Sequence, residues 1–160
     1  MISRAEALTR IKEEGSSPPC LMCAISARKV GTVYSIYEDD ELLVMLPRYV
    51  RRWGHVLVTP KPHHTAFSDI APALWARTNA LAHNAARMVE QVARPRRVYV
   101  ASTGSSAGEL TQSSMHLHIH VIPLHEAEDR PADVFSWADG IYVGTAAEWE
   151  ELQARYRAAW

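Results

Sequence analysis

Apolar positions along the chain change their spacing several times, and each change marks a new element. Residues 3–14, SRAEALTRIKEE, place Ala5, Leu8 and Ile11 on one helical face with Gly15 as a stop, which predicts a short amphipathic helix. The next stretch, SSPPCLMCA, is rich in turn residues. Pro18 and Pro19 oppose a continuous helix there, so Cys20 and Cys23 pass from a loop into a helical turn. From Thr32 the pattern changes again. TVYSIY, ELLVML and HVLVTP are β-branched, apolar runs separated by EDD and RYVRRWG, which predicts an antiparallel meander.

Residues 71–93 carry the longest helical stripe: Leu74, Trp75, Leu81, Ala82, Ala85, Met88, Val89 and Val92, interrupted by Thr78 and closed by Pro95. A helix of about six turns packs on the sheet. RVYVAS at 97–102 and MHLHIHVIP at 115–123 read as strands, joined by the small-residue loop TGSSAGELTQSS. A short strand follows near 141–143. Thr145 with Glu148 three residues on predicts a capping box opening a final helix. The order gives an α+β fold, with an antiparallel sheet of about five strands and one long packing helix.

Composition narrows the class. The 160 residues suit one domain with a sizeable core. Lys plus Arg is 17 and Asp plus Glu is 18, so the net charge of −1 argues against a polybasic nucleic-acid surface. We therefore expect no nucleic-acid partner. The opening MISRAEALTR has no signal-peptide core, and no stretch approaches the roughly 20 apolar residues of a membrane helix. The expectation is a cytoplasmic protein without a membrane partner. Two cysteines exclude a disulfide framework, and in a reducing compartment Cys-x-x-Cys is more often a metal half-site or a redox pair.

The chemistry concentrates in His116, His118 and His120, which alternate with Leu117, Ile119 and Val121. In a strand the imidazoles would share one face at about 7 Å per step, with the aliphatics in the core. One such histidine is usually structural. Three in strict alternation beside a small-residue loop are hard to explain by packing.

The run from His116 to Ile122 resembles the His-φ-His-φ-His-φ-φ motif of the histidine triad superfamily. CLMCAI at 20–25, YEDDELLVML at 37–46 and GHVLVTPKPHH at 54–64 resemble its other segments in the right order. The resemblance implies the histidine triad fold over residues 1–160 as a single domain, with its core at about 18–124, an N-terminal helix at 3–14 and an extension at 125–160. It implies a nucleotide hydrolase or nucleotidyl transferase acting on nucleoside phosphate derivatives, such as dinucleoside polyphosphates or nucleoside phosphoramidates. His118 would attack the α-phosphorus to form a nucleotidyl-histidine intermediate. His120 would contact phosphate oxygens, Gln112 the bridging or leaving atom and Ser113 the phosphate, with His55 lining the site. Cys20, Cys23, His63 and His116 would hold a structural zinc, and the mechanism calls for no catalytic metal. A homodimer through the long helix and its neighbouring strand is also implied.

Departures from the family pattern fall at the nucleoside end. Pro47 stands where many nucleotide-binding members have an Asp that holds the ribose, and Ser102 and Thr111 replace an Asn and a Gly of the loop before the triad. Arg48, Arg51 and Arg52 with Trp53 form either a substitute substrate contact or a solvated turn. His64 would point away from His63, His83 lies on the long helix, and His125 either extends the pocket or sits in an exposed loop. Two other readings stay open: a zinc-stabilised nucleotide-binding module without catalysis, and a metal-dependent hydrolase built on the three histidines.

Overall fold

The computed structural model describes residues 1–14, 20–102, 104 and 115–160. Its elements are α1 (Arg4–Glu14), α2 (Leu21–Ser26), β1 (Tyr34–Glu38), β2 (Leu42–Leu46), β3 (Val56–Pro60), α3 (Pro72–Ala93), β4 (Arg97–Ala101), β5 (Ile119–Leu124), α4 (Pro131–Ser136) and α5 (Ala146–Ala159). The strands form one antiparallel sheet in the order β1-β2-β3-β5-β4. The predicted meander and the long helix are present. No helix among the described residues is long and apolar enough to cross a membrane.

The register assigns the faces. Val56 pairs with Val121 and Val58 with Ile119, and these four residues pack with Ala82, Ala85, Met88 and Val89 of α3 and with Trp149, Leu152 and Tyr156 of α5. Thr78, which breaks the apolar stripe of α3, is fully buried with it. Its hydroxyl donates to the Leu74 carbonyl at 2.8 Å, so the stripe tolerates it. Leu57 pairs with His120, so these two residues face the other side. There α2 covers Leu43, Met45 and Leu57, while Val134 of α4 covers Ile122 and Leu124. Leu57 and Ile122 belong to different clusters, and His120 lies in the register between them.

Several elements differ from the sequence reading. On α1 the buried residue is Ala7, with Leu8 and Ile11 beside it, and Ala5 is exposed. The extension causes this, because Trp137 and Ile141 pack on Ala7. The strand expected at 115–123 starts only at Ile119. Upstream, Leu117 N–H donates to the His64 carbonyl at 2.8 Å and Thr59 Oγ1 donates to the Leu117 carbonyl at 3.2 Å, so this backbone bonds outside the ladder. The strand near 141–143 reduces to two isolated bridges, Ile2 with Ile141 and Val50 with Tyr142. α4 has six residues, too few for a periodic signature, and starts on Pro131.

The extension also fixes the turn that carries His55. The capping box of α5 forms as predicted, with Thr145 N–H donating to Glu148 Oε2 at 2.8 Å and Glu148 N–H donating to Thr145 Oγ1 at 3.3 Å. Tyr156 O–H from this helix donates to the Gly54 carbonyl at 2.9 Å. Gly54 has φ +91°, and a Cβ there would sit 2.7 Å from the Tyr156 oxygen, so only glycine fits before His55. Arg52 in the same turn bonds Asp129 through Nε at 2.9 Å and Nη2 at 2.6 Å, and Asp139 through Nη2 at 2.8 Å. The Asp129 side chain is 6% exposed and that of Asp139 58%. Burial alone would raise the Asp129 carboxyl, but its hydrogen bonds and the Arg52 charge outweigh burial and hold it below the usual carboxylate range. Asp129→Asn should therefore cost about 3 kcal/mol of unfolding free energy and Asp139→Asn less than about 1. Urea titrations of both variants at neutral pH check the ranking, which equal losses would refute.

Candidate functional site

His118 is defined by one contact: its Nδ1 lies 2.6 Å from the His116 carbonyl oxygen. The carbonyl has no proton, so Nδ1 donates, and in the neutral ring Nε2 keeps a free lone pair. His120 Nε2 lies 3.1 Å from that lone pair and must donate to it. His120 Nδ1 is then an acceptor, and it receives His55 Nε2–H at 3.0 Å, while Arg51 Nη1 stands 3.0 Å from the same nitrogen, off the line of its lone pair. The protons of the whole row follow from the first bond. The rings of His118 and His120 converge with centroids 4.6 Å apart, rather than standing in even steps along a strand, because His116 and His118 precede β5.

The row is held neutral. Burial, and then the charge of Arg51 and neighbouring imidazoles, lower His55 and His120 well below the ordinary imidazole value, and burial lowers His118 in spite of its bond to the His116 carbonyl. A neutral imidazole with its outer nitrogen unprotonated is a nucleophile near neutral pH, and His120 N–H and Arg51 supply donors beside it. Gln112 and Ser113, assigned by resemblance to the leaving atom and the phosphate, lie outside the described residues.

His116 turns the other way. Its Nε2 donates to the Pro60 carbonyl at 2.7 Å, which leaves Nδ1 as a free donor of electrons. Cys20, at the N-cap of α2, accepts a bond from Cys23 N–H, which brings both sulfurs to one turn. Around His116 Nδ1 lie Cys20 Sγ at 3.5 Å, Cys23 Sγ at 3.5 Å and His63 Nδ1 at 3.2 Å, and Cys23 Sγ is 3.3 Å from His63 Nδ1. A tetrahedron with Zn–N of about 2.0 Å and Zn–S of about 2.3 Å has edges of about 3.3 Å between nitrogens and about 3.5 Å between sulfur and nitrogen. The four distances above match those edges, and all four ligand atoms lie within 4.8 Å of one another. Burial and the neighbouring Cys20 push the Cys23 thiol up to about 11, so this corner favours thiolates only beside a cation. His64 is not in the cluster; its carbonyl serves Leu117 instead.

Comparison with known proteins identifies the family. The family model described as HIT domain matches residues 29–127. The chain belongs to the HIT domain family. The adenylylsulfatase HINT3 of Arabidopsis thaliana is 29% identical over 112 residues, 68% of this chain and 54% of that protein. A zinc-bound histidine triad family protein of Mycobacterium smegmatis superposes with a TM-score of 0.67 at 26% identity, covering 88% of this chain and 91% of that one. A hypothetical histidine triad nucleotide-binding protein of Sulfolobus tokodaii gives 0.69 at 26% identity over the same shares.

The match to the HIT domain ends at residue 127, and the surroundings of the turn at 47–55 come from beyond it. Arg51 is 5% exposed, with its guanidinium carbon 5.7 Å from the Phe135 ring centre and 5.5 Å from that of Trp137. Arg51 and Arg52 are both buried, so the turn is not a solvated one. Arg48, Arg51, Arg52 and Trp53, neighbours in the sequence, separate in the structure. Trp53 stacks on Trp149 at 4.5 Å, and Arg48 lines a different hollow with Arg10, Tyr34 and Trp149. Only Arg51 reaches the triad. His83 is exposed on α3, and His125 Nε2 donates to the Trp53 carbonyl at 3.4 Å.

The buried neutral row has a cost in acid. An unfolded chain protonates its histidines near pH 6.5 while folded His55 and His120 do not, so stability falls as the pH drops below that value. The loss is up to about 1.4 kcal/mol per histidine for each pH unit. Urea unfolding at pH 7.5 and 5.5 should show it, with a shallower dependence in His55→Gln. Equal stability at the two pH values would contradict the assignment.

Proposed function

We propose that this HIT-domain protein cleaves a nucleoside 5′-phosphate derivative at the α-phosphorus through a covalent intermediate on His118. The observation that carries this reading is the unprotonated Nε2 of His118, fixed by the His116 carbonyl and accepting the N–H of His120, with Arg51 beside the His120 ring. In the first step His118 Nε2 forms a bond to phosphorus, and the leaving group departs with the electron pair of its own bond to phosphorus. In the second, the oxygen of water or another acceptor attacks phosphorus, its proton is released, and His118 leaves with its pair as a neutral imidazole. As the His118 Nε2 lone pair goes into the bond to phosphorus, the His120 N–H that it held is released to the phosphoryl oxygens, whose charge it stabilises, and His55 orients His120. Gln112 and Ser113 complete the phosphate and leaving-group contacts in this proposal.

Cys20, Cys23, His63 and His116 hold a structural zinc. Four protein ligands leave no open position, so the ion ties α2 to the segment before β5 and does not enter the reaction. Its bearing on chemistry is indirect, because the residue whose carbonyl orients His118 is itself a ligand. The three-histidine metal hydrolase loses support for the same reason: the metal-competent cluster among the described residues takes His116 away from His118 and His120. A homodimer is supported by β4 being a sheet edge with Val100 half exposed beside α3.

Two outcomes test the reading. With adenylyl sulfate, adenosine phosphoramidate and a dinucleoside polyphosphate as candidate substrates, acid-quenched reactions should show one nucleotide added to His118. His118→Asn should lose the adduct and at least about 10⁴-fold in turnover. A His118→Asn protein that still binds nucleotide, beside a wild type that never forms the adduct, would instead indicate a non-catalytic binding module. For the metal, elemental analysis should find one zinc per chain, absent in Cys23→Ser, with a lowered thermal midpoint. Metal-free wild type of full stability would remove the zinc assignment.

A further inference from the structure

Two adjacent arginines in the turn before β3 meet opposite fates. Arg52 takes both nearby carboxylates, Asp129 and Asp139. Arg51 is at least as buried and has no carboxylate partner among the described residues. Its Nε is buried without any hydrogen-bond partner. Phe135 and Trp137 lie against the guanidinium and hold it, but a ring face does not neutralise a charge. An isolated guanidinium in such a place is costly unless an anion arrives to complete it.

The position says which anion. Arg51 Nη1 is 3.0 Å from His120 Nδ1 and 3.5 Å from His120 Nε2, so it lies toward the face of the His120 ring and not in line with the Nδ1 lone pair. His120 Nε2 is in turn 3.1 Å from the attacking nitrogen of His118. The guanidinium thus stands about one phosphoryl group away from the nucleophile, and its planar fork of donors matches paired phosphoryl oxygens. Burial lowers Arg51 to about 10, which leaves it charged at neutral pH.

We propose that Arg51 is a substrate-binding, specificity-determining residue that holds the anionic oxygens of the phosphoryl group beside His120, in a seat built by Phe135 and Trp137 from beyond the HIT-domain match. This rests on the reading that a nucleoside phosphate derivative occupies the triad. The substrates selected are those that present a negatively charged phosphoryl group there, and uncharged phosphate triesters or nucleosides are excluded.

The test uses AMP and inorganic phosphate as probes on the full chain. Calorimetry should show AMP affinity falling at least ten-fold in Arg51→Gln and partly restored in Arg51→Lys. Wild-type protein with selectively labelled arginine gives a second readout that needs no variant: the Arg51 Nε–H resonance should shift as inorganic phosphate is titrated to saturation. Unchanged AMP affinity in a folded Arg51→Gln, or an Arg51 resonance that ignores phosphate, overturns the inference. A wild type whose Arg51 resonance responds to phosphate but which binds no AMP upholds Arg51 as the anion ligand and removes the nucleotide reading instead.

Discussion

The hydrogen bond from His118 Nδ1 to the His116 carbonyl, 2.6 Å long, sets the proton positions of the site. With Nδ1 committed as donor, the outer nitrogen of His118 is a lone pair. His120 must then donate to it, and His55 must donate to His120. Reversing the first bond would place two N–H groups or two lone pairs against each other further along. The residue that bears that carbonyl is itself held from two sides. The His116 ring is clamped between the Pro60 carbonyl at the end of β3 and the corner formed with Cys20, Cys23 and His63. The Cys/His corner, the end of β3 and His118 are therefore linked, so that loss of the corner would free the carbonyl that orients His118.

Charge is arranged on the same local scale. A chain with net charge −1 has no global field to gather anions, so a phosphate must be met by donors at the site. The described donors are His120 and Arg51, one neutral and one cationic. The region beyond the HIT-domain match settles which arginine faces the triad, because Asp129 and Asp139 draw Arg52 outward and leave Arg51 against His120. The same region packs Trp137 on α1 and Tyr156 under Gly54. Residues that add nothing to the sheet thus shape its active face.

Much of this was legible in the sequence. Strong local patterns gave the strands, the long helix and the capping box of Thr145 and Glu148, and the four candidate zinc ligands chosen by resemblance come together in space. The misreadings share one cause, contacts distant along the chain. Strand alternation implied three imidazoles on one face, but the bonds of Leu117 to His64 and Thr59 keep His116 and His118 out of the ladder and let their rings turn to different tasks. Ala7 replaces Ala5 on the buried face of α1 because residues from the far end of the chain cover it. No local spacing could separate Arg51 from Arg52, whose partners lie 77 and 87 positions later. Gln112 and Ser113 lie outside the described residues, so their roles rest on resemblance alone.

The neutral state of His118, with its outer nitrogen unprotonated, can be read from long-range proton–nitrogen NMR of the histidine rings at pH 7. His118 should be the Nδ1–H tautomer and His120 the Nε2–H tautomer, both neutral. A proton on His118 Nε2, whether as the other tautomer or as imidazolium, would contradict this assignment.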